Sequence, residues 1–201
     1  MTRILVVLAA LMLAACNPTS QQPSSSDGAT SPAPGDTAAT PAGGDANTVV
    51  LETKDGQIVI ELRPDLAPLH VAQIKTLIAR NFYDGVVFHR VIDGFMAQTG
   101  DPTGTGTGGS DLPDIKAEFG GEPFERGVVG MARSSDPDSA NSQFFIMFAA
   151  APSLDGKYTV VGKVSKGMDV VDKIKKGNAA ANGVVENPDR IVKMRLQSDA
   201  G

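Results

Sequence analysis

From Thr48 onward, apolar residues recur in short runs separated by Gly, Pro, Asp and Asn. Runs over 48–53, 57–62, 86–91, 95–99, 128–132, 144–148, 159–164 and 190–196 read as β-strands. The first two flank Lys54-Asp55-Gly56, whose Asp-Gly pair marks a hairpin turn. Two stretches follow the helical period instead. One spans 68–80; it opens on Pro68, a residue suited to a first turn, and places Val71, Ile74, Leu77 and Ile78 on one stripe. The other spans 168–176, with Val171 and Ile174 inward and Lys173, Lys175 and Lys176 near its end, where cations suit the helix dipole. Many short strands and only two helices predict a mainly β domain, a closed β-barrel with helices plugging its ends.

Upstream of this domain the pattern changes twice. Residues 1–15 carry Arg3 and then a charge-free apolar run over 4–15. A bilayer-spanning helix needs about 20 residues, so this run fits a secretory signal better. It ends in Leu13-Ala14-Ala15-Cys16, which resembles the lipobox of bacterial lipoproteins. In that family the cysteine is acylated and the chain is cut before it, so the resemblance implies lipidation at Cys16. Several acyl chains suffice for stable anchoring. The alternative is cleavage after Ala15 to release a secreted protein with a free thiol. Residues 17–47 are rich in Pro, Ser, Thr, Ala and Gly, with Asp27, Asp36 and Asp45 as their only charges. Such a segment cannot bury enough apolar area to offset its ordering entropy. It is expected to be a disordered spacer with a span of roughly 30 Å. The predicted organisation is a signal over 1–15, a lipidated cysteine and linker over 16–47, and one domain over 48–198. The expected location is the bacterial cell envelope, facing the periplasm from a lipid anchor.

Composition removes several function classes. Lys plus Arg is 18 and Asp plus Glu is 23, a formal charge of −5, which argues against nucleic-acid binding by phosphate neutralisation. One cysteine excludes an intrachain disulfide and a cysteine zinc cage, and two histidines leave little for a transition metal. No metal or cofactor is predicted. Residues 104–109 match GxGxxG, but Leu112-Pro113 forbids the helix that this motif requires, so a loop is expected. Asp136 and Asp138 begin like a calcium loop, yet no Gly follows at the turn and Met147 stands where Glu is needed. A Ser-His-Asp triad would need His70 or His89, and neither lies in a nucleophile setting.

The informative stretch is Phe88-His89-Arg90-Val91-Ile92-Asp93-Gly94-Phe95-Met96-Ala97-Gln98. Arg90 sits in an apolar strand, where an unpaired buried charge would be costly. Strand alternation puts Arg90 and Ile92 on one face and His89 and Val91 on the other. After the turn at Gly94, Phe95, Met96 and Gln98 are expected to converge beside Arg90. Ser142-Gln143-Phe144-Phe145-Ile146 offers a second amide and aromatic pair.

These residues resemble the signature of the cyclophilins, the peptidyl-prolyl cis-trans isomerases. Phe82-Tyr83-Asp84-Gly85, the run from 127 to 132, Asn141 to Ile146, Leu154-Asp155-Gly156-Lys157, Val161 to Val164 and Gly167 to Val171 follow in family order. The resemblance covers residues 48–196 and implies an eight-stranded antiparallel barrel capped by two helices. It implies that Arg90 is the catalytic arginine. Phe95, Met96, Phe145 and Leu154 would form the proline pocket, and Gln98 and Gln143 would be polar groups beside the substrate. Ala132 would lie on the strand that binds the substrate backbone. His89, Ile92, Gly106, Arg133 and Tyr158 complete the implied substrate-binding set. Ser153 stands where many members carry Trp or Phe, and Arg133 where many carry Asn. Both departures imply weakened affinity for the cyclic peptide cyclosporin. Proline-containing polypeptides are the expected partners, exported proteins the expected clients, and a monomer the default. A peptide-binding module or holdase that uses the same groove without turnover is the alternative.

Overall fold

Thr48–Thr53 (β1) and Gly56–Leu62 (β2) form the expected hairpin, paired antiparallel from Thr48↔Glu61 to Thr53↔Gly56. Gly56 takes φ 137°, open to glycine and strained for other residues, and Thr53 Oγ1 accepts the Asp55 N–H across the turn. These coordinates come from a computed structural model, which describes residues 45–199. The signal expected over 1–15, the lipidation expected at Cys16 and the linker as far as residue 44 lie outside the described residues.

Six further strands follow: Arg90–Ile92 (β3), Met96–Thr99 (β4), Val128–Met131 (β5), Phe144–Met147 (β6), Val160–Lys166 (β7) and Lys193–Leu196 (β8). With β1 and β2 they make one eight-stranded antiparallel sheet, in the order β3-β4-β6-β5-β7-β2-β1-β8. The two edge strands meet through the single bridge Val87↔Arg190 rather than a continuous ladder. That seam explains why the predicted strands over 86–91 and 190–196 are shorter in the structure. Residues 85–89 hydrogen-bond to Val185, Asp189 and Ile191 one contact at a time, so they line the seam without forming a ladder.

Pro68–Ala79 (α1) buries His70, Val71, Ile74, Leu77 and Ile78 against the barrel, as its stripe requires. Ala67 supplies no side-chain cap. Glu118 caps from a distance instead, accepting the Leu69 and His70 N–H groups at 3.1 Å each and meeting His70 Nδ1 at 2.6 Å. Met168–Lys173 (α2) ends earlier than the predicted 176 because Ile174 turns to extended backbone, ψ 128°.

Strand β6 is buried along its whole length, and alternate residues serve two different cores. Phe144 and Ile146 join the barrel interior with Leu51, Ile58, Leu77 and Phe88. Phe145 and Met147 face outward into a second cluster with Met96, Phe124, Val128 and Val160. A strand buried on both faces needs no polar alternation, which is why Phe144 to Phe148 reads as one apolar run. The outer cluster builds the candidate site.

The loop over 100–127 carries no strand or helix, only the isolated bridge Ile115↔Ala140. Its first half is organised by Asp101, which is fully buried. The Asp101 carboxylate accepts from the N–H groups of Thr103 (2.7 Å), Thr105 (3.1 Å), Gly106 (2.6 Å) and Gly108 (3.1 Å), and from the Thr103 hydroxyl (2.8 Å). The residues that match GxGxxG thus wrap a carboxylate of the chain itself. Burial pushes this carboxyl up, but the hydrogen bonds outweigh it and hold the pKa down at about 2, against 3.8 for a free side chain. A carboxylate depressed in the folded state stabilises it fully above the unfolded value and loses that effect as pH falls through the folded value. Stability should therefore decline from about pH 4 towards pH 2. Asp101→Asn should be less stable at pH 7 and shallower over that window, as followed by denaturant unfolding at stepped pH. Equal slopes in the two proteins would show that Asp101 does not carry the effect.

Candidate active site

Strands β3 and β4 pair Arg90 with Gln98, Val91 with Ala97 and Ile92 with Met96. The register places Arg90, Gln98, Ile92 and Met96 on the outer face and Val91 and Ala97 inside, as alternation predicts. Strand β6 lies on the other side of β4, with Gln98 opposite Phe145. Three neighbouring strands thus bring Arg90, Gln98 and Phe145 into one row.

The row opens into a cavity of about 180 Å³, lined by Arg90, Phe95, Met96, Gln98, Ala132, Arg133, Phe145, Leu154 and Tyr158. Its floor is rigid. Phe145 stacks on Phe124 with centroids 5.8 Å apart, and Tyr158 meets Phe145 edge-on at 5.9 Å. Gly130 makes the stack possible: a Cβ there would lie 2.6 Å from both Phe124 and Phe145. A larger cavity of about 590 Å³ adjoins it and shares Gln98, Ala132 and Arg133 as a common wall. Gly106, Thr107, Asn141 and Gln143 line the larger one.

A directed chain of hydrogen bonds connects the two. Arg90 Nη1 donates to Gln98 Oε1 at 3.2 Å, Gln98 Nε2 donates to Gln143 Oε1 at 2.8 Å, and Gln143 Nε2 donates to the carbonyls of Gly106 (3.1 Å) and Gly108 (2.8 Å). The direction is forced, since a guanidinium only donates and a carbonyl only accepts. Asn182 holds the other side of Arg90: its carbonyl accepts from Nε at 3.1 Å and its Oδ1 from Nη2 at 3.0 Å. Among the described residues the arginines in ion pairs are Arg63, Arg80, Arg126 and Arg195, so Arg90 is held by neutral acceptors alone. Partial burial pushes the Arg90 pKa down from its ordinary value, and Tyr158 opposes that.

The structure brings together most of the residues singled out in the sequence. Phe95, Met96, Gln98, Ala132, Arg133, Phe145, Leu154 and Tyr158 share a cavity with Arg90, while Gly106 and Gln143 line the neighbouring one. His89 and Ile92 line neither. Ile92 packs against the outer cluster, as Phe95 does. His89 is buried beneath Gly106, and neither ring nitrogen has a hydrogen-bond partner. Burial pushes its pKa down, with Asp101 pulling the other way. Ser153 is exposed and lines neither cavity. The sequence reading missed Asn182. The Asn-Gly pair at 182–183 does mark a turn, and both residues have positive φ, 53° and 81°. Its partner, however, lies 92 positions away.

Relatives share this arrangement of chain. The family described as "Cyclophilin type peptidyl-prolyl cis-trans isomerase/CLD" matches residues 48–196. A protein of Brucella suis biovar 1 (strain 1330) named "Probable peptidyl-prolyl cis-trans isomerase" is 61% identical over 164 residues, covering 76% of this chain and 84% of its own. A "Peptidyl-prolyl cis-trans isomerase-like 3" of Rattus norvegicus is 45% identical over 133 residues, covering 64% of this chain and 82% of its own. The crystal structure of a Hirschia baltica cyclophilin superposes with a TM-score of 0.68 at 32% identity, over 76% of this chain and 74% of that one. A Cryptosporidium parvum cyclophilin-type isomerase, crystallised in the presence of the dipeptide Ala-Pro, gives 0.68 at 28% identity, over 74% and 98%. The eight-stranded sheet, its two helices and the row from Arg90 to Phe145 lie within the matched span, and the chain belongs to the cyclophilin-type peptidyl-prolyl cis-trans isomerases.

Proposed function

We propose that Arg90 is the group that accelerates rotation about X–Pro bonds in this chain, with the proline ring seated on Phe95, Met96, Phe145 and Leu154. The reading is carried by one observation: the Arg90 guanidinium shares a cavity wall with Phe95, Met96, Phe145 and Leu154, and its partners are all neutral. A guanidinium has five N–H groups. Three are taken by Asn182 and Gln98, so five minus three leaves two for substrate.

The chemistry needs no covalent intermediate. An amide rotates over a barrier of about 20 kcal/mol because twisting destroys its resonance. The twisted imide nitrogen becomes pyramidal and regains a lone pair. An N–H aimed at that nitrogen stabilises the twisted form and gains little from the planar one, as catalysis requires. The twisted bond is also less dipolar, so an apolar floor favours it relative to the planar ground state. An acceleration of about 10⁵ corresponds to roughly 7 kcal/mol. One preorganised charged donor supplies about 3–4 kcal/mol of such stabilisation. Desolvation and the orientation of the ring supply the remainder. Among the polar neighbours, Gln98 and Gln143 fix the donor, and Gly106 anchors Gln143. Ala132 borders the cavity, and Arg133 and Tyr158 close its outer wall. His89 packs beneath Gly106, and Ile92 packs against the outer cluster.

Two features away from the Arg90 row complete the proposal. The Leu13-Ala14-Ala15-Cys16 run supports acylation at Cys16, which would tether the domain to a bacterial envelope membrane through the spacer over 17–47. The clients would then be exported polypeptides. Ser153, in place of a bulky aromatic residue, supports weak binding of cyclosporin.

A proline-limited refolding assay tests the catalytic role. Arg90→Ala should lower kcat/KM by about 10²–10³-fold, the usual cost of one preorganised donor. A groove that only binds would keep its effect on refolding. Asn182→Gly keeps the left-handed backbone and the carbonyl but removes Oδ1. It should lower kcat several-fold with KM nearly unchanged; a matching rise in KM would place Asn182 in substrate binding instead. Cys16→Ser should move the protein from the membrane to the soluble envelope fraction and abolish labelling by radioactive palmitate. Retention of either property in the variant would remove the anchor.

A further inference from the structure

The side chains lining the smaller cavity include two guanidinium groups and no carboxylate, although the chain carries a formal charge of −5. Arg90 faces the proline. Arg133 has no part in the rotation step. It follows β5, stands in the wall common to both cavities, and lies over the Tyr158 ring at 4.6 Å with Phe119 at 5.8 Å. Its Nε and Nη2 donate to the Lys157 carbonyl at 3.3 and 2.9 Å, and Nη1 donates to the Ser134 carbonyl at 2.9 Å. These contacts orient the guanidinium without neutralising it, and Arg133 belongs to none of the ion pairs formed by the other arginines.

A half-buried, weakly hydrated guanidinium stacked on an aromatic ring suits a planar carboxylate. We propose that Arg133 is a specificity-determining residue that binds an Asp or Glu side chain one or two residues from the proline, so that this chain prefers acidic segments around X–Pro bonds. The proposal rests on the proline occupying the cavity beside Arg90. From there, a neighbouring side chain that enters the larger cavity must pass the shared wall, where Arg133 stands. Low-dielectric walls focus the field of the two arginines into the groove. Asp114 is the carboxylate that lines the larger cavity; it is exposed, and it accepts the Asn141 Nδ2 donor at 2.9 Å. Solvent screens it more than Arg133. The Lys157 ammonium is turned to the Ser153 carbonyl at 3.1 Å and leaves Arg133 as the cation of the shared wall.

The test is isomerisation of peptides with a single X–Pro bond, carrying Ala, Glu or Lys at each of the two positions on either side of that bond. At one of these positions, kcat/KM for Glu should exceed that for Ala by about five-fold, through KM, which is the scale of a partly exposed charge pair. The ratio should fall to about one in Arg133→Gln and in high salt, and persist in Asp114→Asn. Equal rates for Glu and Ala at all positions, or a Glu preference that survives in Arg133→Gln, would overturn the assignment. So would a Lys preference that is lost in Asp114→Asn, which would give the groove to basic segments. Turnover of the Ala peptides with no charge preference defeats the selectivity alone. No turnover of any peptide defeats the proline-rotation reading and this inference with it.

Discussion

The site depends on a guanidinium that keeps its charge available while being held still. Asn182 and Gln98 achieve this with a carbonyl and two amide oxygens. A carboxylate in their place would orient Arg90 as well, but it would neutralise the charge that the proposed rotation step uses. Three hydrogen bonds to neutral acceptors offset part of the cost of burying the cation and leave its field intact. Placement in a partly desolvated wall then makes each remaining N–H worth more than in water.

The rest of the fold serves that placement. A barrel strand ordinarily gives one face to the core and one to water. Here β4, β5 and β6 give their outer faces to a second apolar cluster built with Phe124, Ala151 and Val160. The floor of the smaller cavity therefore stands on the lattice of the sheet and not on a loop, and Phe145 is fixed through the backbone that also fixes Gln98. The amide chain extends this rigidity sideways. Gln143 ends on the carbonyls of Gly106 and Gly108, and the N–H groups of those same glycines end on Asp101. A buried carboxylate thus determines, through two peptide units, where the last acceptors for Gln143 lie.

How much of this was legible in the sequence follows from the range of each interaction. Arg90, Phe95, Met96 and Gln98 lie within one hairpin, and a period of two with one turn is enough to put them on a common face. Phe145 and Gln143 needed the family resemblance, because nothing in the run from 142 to 148 tells which face is the barrel interior. The structure shows that both faces are buried, so alternation carries no signal there. Helix α1 was legible from its stripe, but its cap was not: Ala67, at the N-cap, has no capping side chain, and Glu118 reaches the first turn across 48 or 49 positions. The seam was misjudged in a related way. Residues 86–91 and 190–196 have strand composition, yet the barrel closes through one bridge, and composition does not count ladder bonds.

His89 shows where local chemistry and position part. By residue type it is the natural proton carrier of the motif. By position its ring lies beneath the loop at Gly106, both ring nitrogens lack partners, and burial disfavours its charged form. A neutral, buried imidazole beside Arg90 adds no second positive charge behind the guanidinium. A cation at that point would repel the guanidinium it supports and compete for Asp101, the carboxylate that orders the loop above it. The rotation step proposed for Arg90 transfers no proton, so it would lose nothing by a neutral His89.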